Sequence, residues 1–211
     1  MFDFNVQGPF RTRRPLILAS ASPRRQALLG SLGIYFEVIP AKSKEPAPQK
    51  DDPPADYAER MAGFKAEEIA DKRPDAIVIG ADTIVVQGLE ILGKPRSPQD
   101  ALRMLTHLCG QTHEVITGVC IMLKAEDICI RMSVSTQVTM PKMDEATLKS
   151  YIATGEPMDK AGSYAIQGIG AFLVKTIRGS YTNVVGLPLR ETLDGLRKLA
   201  GVGLADEMGN E

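Results

Sequence analysis

Four short stretches hold the side chains that could do chemistry. Ser20-Ala-Ser-Pro-Arg-Arg25 gathers two hydroxyls and two guanidiniums where a helix begins. Backbone N–H groups at a helix start favour an anion, and Arg forks match phosphate oxygens in pairs. Hydrogen bonds to charged groups contribute about 1.5–3 kcal/mol each. Gly80-Ala-Asp-Thr83 places a carboxylate after an apolar run, at the kind of strand end where open α/β sheets collect functional groups. Asp82 there is able to hold a divalent cation or to take a proton from water. Lys65 and Lys94, joined to Arg24 and Arg25, would supply the positive charge that a triphosphate needs. Gln167, between Ile166 and Gly168, offers one acceptor and two donors, which suits the edge of a base. Each stretch also has a plain reading. These are a capped helix with solvated arginines, an Asx turn at Asp82, surface lysines, and a Gly-rich turn with Gln167 in solvent. Glu45, in a Lys- and Pro-rich loop, reads as an exposed charge.

The familiar nucleotide signatures are absent. Gly93-Lys-Pro95 lacks the Ser/Thr after Lys and the upstream Gly of a P-loop, Gly168-Ile-Gly170 lacks the third Gly of a dinucleotide fingerprint, and neither histidine sits in an HExxH frame. With 25 basic and 26 acidic residues among 211, the net charge of −1 argues against a dedicated nucleic-acid binder. The 44% hydrophobic and 24% charged content excludes a disordered chain. Cys109, Cys120 and Cys129 form no CxxC pair, as expected in a reducing compartment. His107 and His113 alone make a His-rich zinc site untenable. No apolar run approaches the roughly 18–20 residues of a membrane span, and no signal-peptide core follows Arg11, Arg13 and Arg14. A cytoplasmic protein without membrane or nucleic-acid partners is expected, with a homodimer left open.

The elements that must position these residues follow from local patterns. Residues 1–14 read as a loosely ordered arm, 15–203 as one domain and 204–211 as a polar tail. Pro15–Ala19 reads as a buried strand, and Ser22 with Pro23 as the N-cap and first position of a helix through Leu32. A weak strand at Ile34–Ile39, a long loop at Pro40–Pro54 and a helix at Ala55–Lys72 follow. Ala76–Ile79 reads as a strand with a return strand at Ile84–Val86. Pro98–Leu108 is a helix closed by Gly110. Long strands are expected at His113–Leu123 and Ile128–Thr139, the latter with Thr136, Val138 and Met140 on one face. A helix at Asp144–Thr154 is capped by Asp144 and stopped by Gly155. Gly-rich turns with short strands then lead to a helix near Leu189–Leu199. The order is mixed α/β rather than a regular βαβ series.

Taken together, the chain resembles the Maf family of nucleotide pyrophosphatases, the septum-formation-inhibitor-like proteins. The resemblance is carried by Leu18-Ala-Ser-Ala-Ser-Pro-Arg-Arg25, Gly80-Ala-Asp-Thr83, Gly93-Lys-Pro95, Gly155–Gly168 and Ser180–Pro188, spread over residues 16 to about 190. It implies an α/β fold with a mixed twisted sheet, flanking helices and two lobes around a cleft, as in inosine-triphosphatase-like proteins. It also implies hydrolysis of a nucleoside triphosphate to monophosphate and pyrophosphate with Mg²⁺ or Mn²⁺. Asp82 matches the family's general base. Arg24, Thr83 and Gln167 match positions tied to base selection, while Ser20 and Ser22 belong to the matching phosphate segment. Arg25, Glu45, Lys65 and Lys94 match other pocket positions. Ile166-Gln167-Gly168 is similar to the branch acting on dTTP and UTP, whereas the 7-methylguanosine branch usually carries Ser-Glu-Gly. Lys44 departs from the acidic residue the family often has beside Glu45.

On this resemblance, Asp82 and Glu45 are the expected metal ligands, and Asp82 the group that orients or deprotonates water. Arg25, Lys65 and Lys94 would stabilise charge on departing pyrophosphate. The Gln167 amide pairs with the O4 acceptor and N3–H donor shared by thymine and uracil. One methyl separates these bases, worth only about 1–3 kcal/mol, so dual activity is physically reasonable. The alternatives are a 7-methyl-GTP pyrophosphatase and a non-catalytic nucleotide-binding regulator of cell division, which would need neither Asp82 nor a metal.

Overall fold

The structure, a computed structural model, describes residues 8–43, 46–48, 52–199 and 201–204. The first half contains β1 (Phe10–Thr12), β2 (Leu16–Leu18), α1 (Pro23–Gly30), β3 (Glu37–Val38), α2 (Pro54–Ala70), β4 (Ile77–Gln87), β5 (Glu90–Leu92) and α3 (Pro98–Leu108). The second contains β6 (Thr112–Leu123), β7 (Ile128–Thr139), α4 (Glu145–Ala153), β8 (Thr176–Arg178), α5 (Tyr181–Val185), α6 (Leu189–Lys198) and β9 (Val202–Leu204). The main sheet has the order β3-β2-β4-β6-β7-β8, with β5 also on β4. β2 is parallel to β3 and β4, and the other pairings in that sheet are antiparallel. The fold is therefore mixed α/β.

Two cores flank the site. Leu16, Leu18, Ile79, Ala81, Val119, Ile121 and Leu196 form one, under α1 and α6. Val85, Leu105, Leu108, Val115, Val138, Leu148 and Tyr151 form the other, around α3 and α4. β4 runs through both, with Ala81 in the first and Val85 in the second. Asp82 and Thr83 lie at the crossing point, between two lobes.

Several sequence expectations meet their elements. The helices expected from Pro98 and from Asp144 are α3 and α4, and Asp144 caps α4 as expected, its Oδ1 accepting from Thr147 N–H; α3 has a cap of its own, Ser97 Oγ accepting from Asp100 N–H. Thr136, Val138 and Met140 are all buried, and Gln137 is exposed. Other elements differ. The turn expected after Ile79 is absent: β4 continues through Gly80-Ala-Asp-Thr83 because every residue from Val78 to Val86 faces a partner in β6. The return strand is β5, not Ile84–Val86. The Gly-rich region from Gly155 to Leu173 forms single 3₁₀ turns at Glu156–Asp159, Ala161–Ser163 and Ile169–Leu173 instead of short strands. The arm is crossed by a strand as well: Phe10–Thr12 pairs with Val202–Leu204 at the far end of the chain.

Candidate active site

β4 explains where the cleft opens. On one edge it pairs continuously with β6. On the other it pairs with β2 at Ile77–Ile79 and with β5 at Val85–Gln87. Among the described residues no strand covers Gly80–Ile84 on that second edge, and Asp82 lies within this gap. Asp82 was expected at a strand's carboxyl end; it sits mid-strand in β4, but just beyond the carboxyl end of the neighbouring β2.

The face of the sheet that carries Gly80 and Asp82 is covered by α2, through Ala58, Ala62 and Ala66, all fully buried. Gly80 and Gly118 permit the close approach. A β-carbon on Gly80 would run into the Ala62 carbonyl oxygen and lie 2.8 Å from Ala66 N, and one on Gly118 would strike the Ala58 carbonyl. The register sets Gly118 directly opposite Asp82. The helix so lowered delivers Lys65, whose Nζ donates to Asp82 Oδ1 at 2.7 Å. Both side chains are largely enclosed, at 14% and 13% exposure.

The Ser20–Arg25 segment lines the same cleft. Ser22 occupies the N-cap position of α1, but no side chain caps this helix start; the expected cap by Ser22 is not made. The N–H of Ser22 donates instead to Ser20 Oγ at 3.3 Å. An uncapped helix start facing a cavity suits an anion. Arg24 is half-buried at this turn. Arg25 lines the cleft and has a structural task as well. It is 9% exposed, and donates from Nε to Gly186 O at 2.7 Å, from Nη1 to Ser20 Oγ at 3.2 Å and from Nη2 to Thr83 Oγ1 at 2.9 Å. It ties three walls together. Thr117 Oγ1 donates to Asn183 O at 3.1 Å. Its single proton is thereby used, so Thr83 must donate in the 2.9 Å hydroxyl pair with Thr117. This polar chain locks the Thr83 side chain.

The opposite wall comes from the second lobe. Gly162 N–H donates to Gly93 O at 3.1 Å, joining the turn with the exposed Lys94 to the segment leading to Gln167. Gln167 is exposed, and its Nε2 donates to Tyr181 Oη at 3.2 Å. Ser163 adopts a left-handed φ of 62°, unusual for a residue with a side chain. Behind it, buried His113 shares a 2.7 Å hydrogen bond between Nε2 and Tyr164 Oη. Burial pushes the His113 imidazole down to about 4 and the Tyr164 hydroxyl up.

The cleft so enclosed has a volume of about 840 Å³. It brings together Ser20, Ser22, Arg24, Arg25, Lys65, Asp82, Thr83, Lys94 and Gln167, all the sequence-indicated site residues within the described part. Glu45 lies outside the described residues. The sequence reading passed over Arg96, Asp159 and Lys160, which also line the cleft. Its signals were there: a basic residue one place after Pro95, and an acid–base pair enclosed by Gly155 and Gly162. Lys160 Nζ donates to Asp159 Oδ1 at 2.6 Å and Glu156 O at 2.7 Å. Burial pushes the Asp159 carboxyl up, but Lys160 and the nearby Arg24 outweigh it and hold it below the ordinary range. Six cationic side chains thus face two carboxylates among the described lining residues. A chain of near-zero net charge concentrates positive charge in one hollow, as a polyphosphate requires. Among the described residues no cluster of three His, Cys, Asp or Glu forms a ready metal site. No described helix is long and apolar enough to cross a membrane.

Comparison with known proteins shows the family. The family model described as Maf-like protein matches residues 15–199. A dTTP/UTP pyrophosphatase of Oleidesulfovibrio alaskensis is 48% identical over 92% of this chain and 89% of its own length. Those of Nitratidesulfovibrio vulgaris, 49% identical over 89% of each chain, and Anaeromyxobacter dehalogenans, 48% identical over 87% and 93%, are similar to the same extent. A solved nucleoside-triphosphatase / dITP/XTP pyrophosphatase from Mycobacterium abscessus overlaps 88% of this chain and 96% of its own, with a TM-score of 0.44 and 12% identity, too remote to carry an argument.

Proposed function

The chain belongs to the Maf family, and we propose that it hydrolyses dTTP and UTP to their monophosphates and pyrophosphate. The observation that carries this reading is the Asp82–Lys65 pair on the uncovered edge of β4, inside a cleft with six cations and Gln167 on the far wall. Formation of a monophosphate and pyrophosphate requires attack at the α-phosphorus. Asp82 orients the attacking water and accepts its proton, an effect typically worth about 10²–10⁴-fold. Lys65, hydrogen-bonded to Asp82 Oδ1, holds the carboxylate in place. Lys65 and Lys94 also answer the charge that develops on departing pyrophosphate, while the helix start at Ser22 and the Arg24 guanidinium hold phosphate oxygens. Arg25 acts one step back, by fixing Ser20, Thr83 and the Gly186 turn. Gln167 reads the O4 and N3–H edge of the pyrimidine.

The donor set fits Mg²⁺ or Mn²⁺. One carboxylate open to the cleft, with phosphate oxygens and water completing the shell, is the usual magnesium arrangement. Asp82 would hold the ion, with Glu45 as the second ligand implied by the family pattern. When bound, the ion would neutralise phosphate charge and acidify a bound water.

A cytoplasmic setting is part of the same proposal, in keeping with the absence of a CxxC pair among Cys109, Cys120 and Cys129 in the sequence. Incubation with equal concentrations of dTTP, UTP, CTP and 7-methyl-GTP, with and without EDTA, tests it. Release of pyrophosphate and monophosphate from dTTP and UTP, lost with EDTA, is expected. Preference for 7-methyl-GTP would replace the substrate, and binding without release would leave only a nucleotide-binding regulator.

A further inference from the structure

We propose that Glu156 is a positioning residue for base recognition: its carboxylate fixes the backbone of the Gln167 loop, and thereby the place from which the amide reads a base. The inference rests on the proposed pyrophosphatase reading and assigns that activity a residue behind the pocket wall.

Three donors converge on the two carboxylate oxygens. Ile169 N–H donates to Oε1 at 2.9 Å, Gly170 N–H to Oε2 at 2.7 Å, and Tyr151 Oη–H to Oε2 at 2.8 Å. The first two are the second and third amides after Gln167. Gln167 and Ile169 are exposed and Gly168 takes a φ of 80°; the loop's other bonds are a long one from Ala171 N–H to Gly168 O at 3.4 Å and that from Gln167 Nε2 to Tyr181 Oη at 3.2 Å. The carboxylate lies directly against the turn: a β-carbon on Gly168 would run into Glu156 Oε1. Glu156 is itself anchored, its N–H donating to Thr154 Oγ1 at 3.2 Å and its carbonyl accepting from Lys160 Nζ at 2.7 Å. Burial pushes the Glu156 carboxyl up, but the Tyr151 hydroxyl and the two backbone N–H groups outweigh it and keep it below the usual range. A charged acceptor serving two adjacent amides imposes a single loop shape, and charge-assisted bonds of this kind are roughly twice as strong as neutral ones.

Glu156→Gln is the discriminating change. It keeps size and shape but sets an NH₂ against donors, so at least one backbone N–H loses its acceptor. For pyrophosphate release by the full chain, KM for dTTP and UTP should rise about 10- to 100-fold, the size of one charge-assisted hydrogen bond. The ratio of kcat/KM for UTP over CTP should fall about tenfold, while kcat falls far less. Gly168→Ala, which attacks the same contact from the loop side, should act alike, and the double variant should be less than additive. An unchanged KM and base ratio in Glu156→Gln would overturn the inference. So would an equal loss for all four nucleotides that merely tracks a lowered Tm. If the wild-type chain releases no pyrophosphate from dTTP or UTP, the proposed function fails first; an active wild type with an indifferent Glu156→Gln removes the clamp alone.

Discussion

A single methyl group on Gly80 should uncouple the two halves of the acid–base pair. In Gly80→Ala the new β-carbon runs into the Ala62 carbonyl oxygen and lies 2.8 Å from Ala66 N and 3.0 Å from Ala66 Cβ. Two of the three obstacles are backbone, so no side-chain rotation relieves them, and α2 must lift from the sheet. Lys65 sits within that stretch, between Ala62 and Ala66. Its 2.7 Å hydrogen bond to Asp82 has little slack, since a contact much beyond 3.2 Å is no longer a good one. Overpacking of this kind typically costs about 1–3 kcal/mol. Alanine's smaller unfolded-state entropy offsets about 0.4–1 kcal/mol of that. A net loss of about 1–2 kcal/mol lowers Tm by roughly 2–8 °C at this chain length. Turnover should suffer more, falling at least about tenfold, because small misplacements of catalytic groups cost up to about 10²-fold. Differential scanning calorimetry and pyrophosphate release on one preparation read both quantities. Wild-type Tm together with wild-type turnover would refute the argument that α2 rides on Gly80 to deliver Lys65.

The remaining predictions concern single groups. Asp82→Asn should lower turnover by about 10²–10⁴-fold while nucleotide binding by calorimetry persists; near-normal turnover would remove Asp82 from the base role. Arg25→Met should destabilise the fold by about 2–4 kcal/mol, because buried acceptors such as Gly186 O lose their donor at about 1–3 kcal/mol each, and a melting curve that matches wild type would contradict the strut. His113 provides a pH signature. Its imidazole titrates near 4 when folded, against 6.5 ordinarily, so the unfolded chain binds the extra proton. The stability it contributes is complete above about 6.5 and is lost as pH falls toward 4, up to about 3 kcal/mol. Chemical denaturation between pH 4.5 and 7 should show the slope in wild type and a flatter one in His113→Phe.

Much of the scaffold was legible because it is local. α3 announces itself by Pro98 at its start and Gly110 after its end, α4 by Asp144, whose side chain does cap it, and β7 by the alternation through Thr136, Val138 and Met140. The site segments were legible too, as polar or charged residues packed among turn formers. What escaped was decided by distant partners. Gly80 and Asp82 look like turn residues until β6 is known to pair across them. β1 cannot be read without β9, which lies at the opposite end of the chain. Arg25 looks like a ligand-binding cation, and only the positions of Thr83 and Gly186 show that it also braces the walls. Glu156 reads as one more turn residue, since its acceptor role depends on amides thirteen and fourteen positions later.

The shared strand between the two cores has a mechanical consequence. Because β4, β6 and β7 span both lobes without a break, any change in the angle between the lobes must bend or twist these three strands. On the proposed reading, the hydrolytic residues Asp82 and Lys65 sit on this continuous sheet and the helix packed on it, while the base-reading amide sits on a separate panel of 3₁₀ turns pinned from behind. Such a division lets preference drift by exchange of the panel while the chemistry beneath it stays in register.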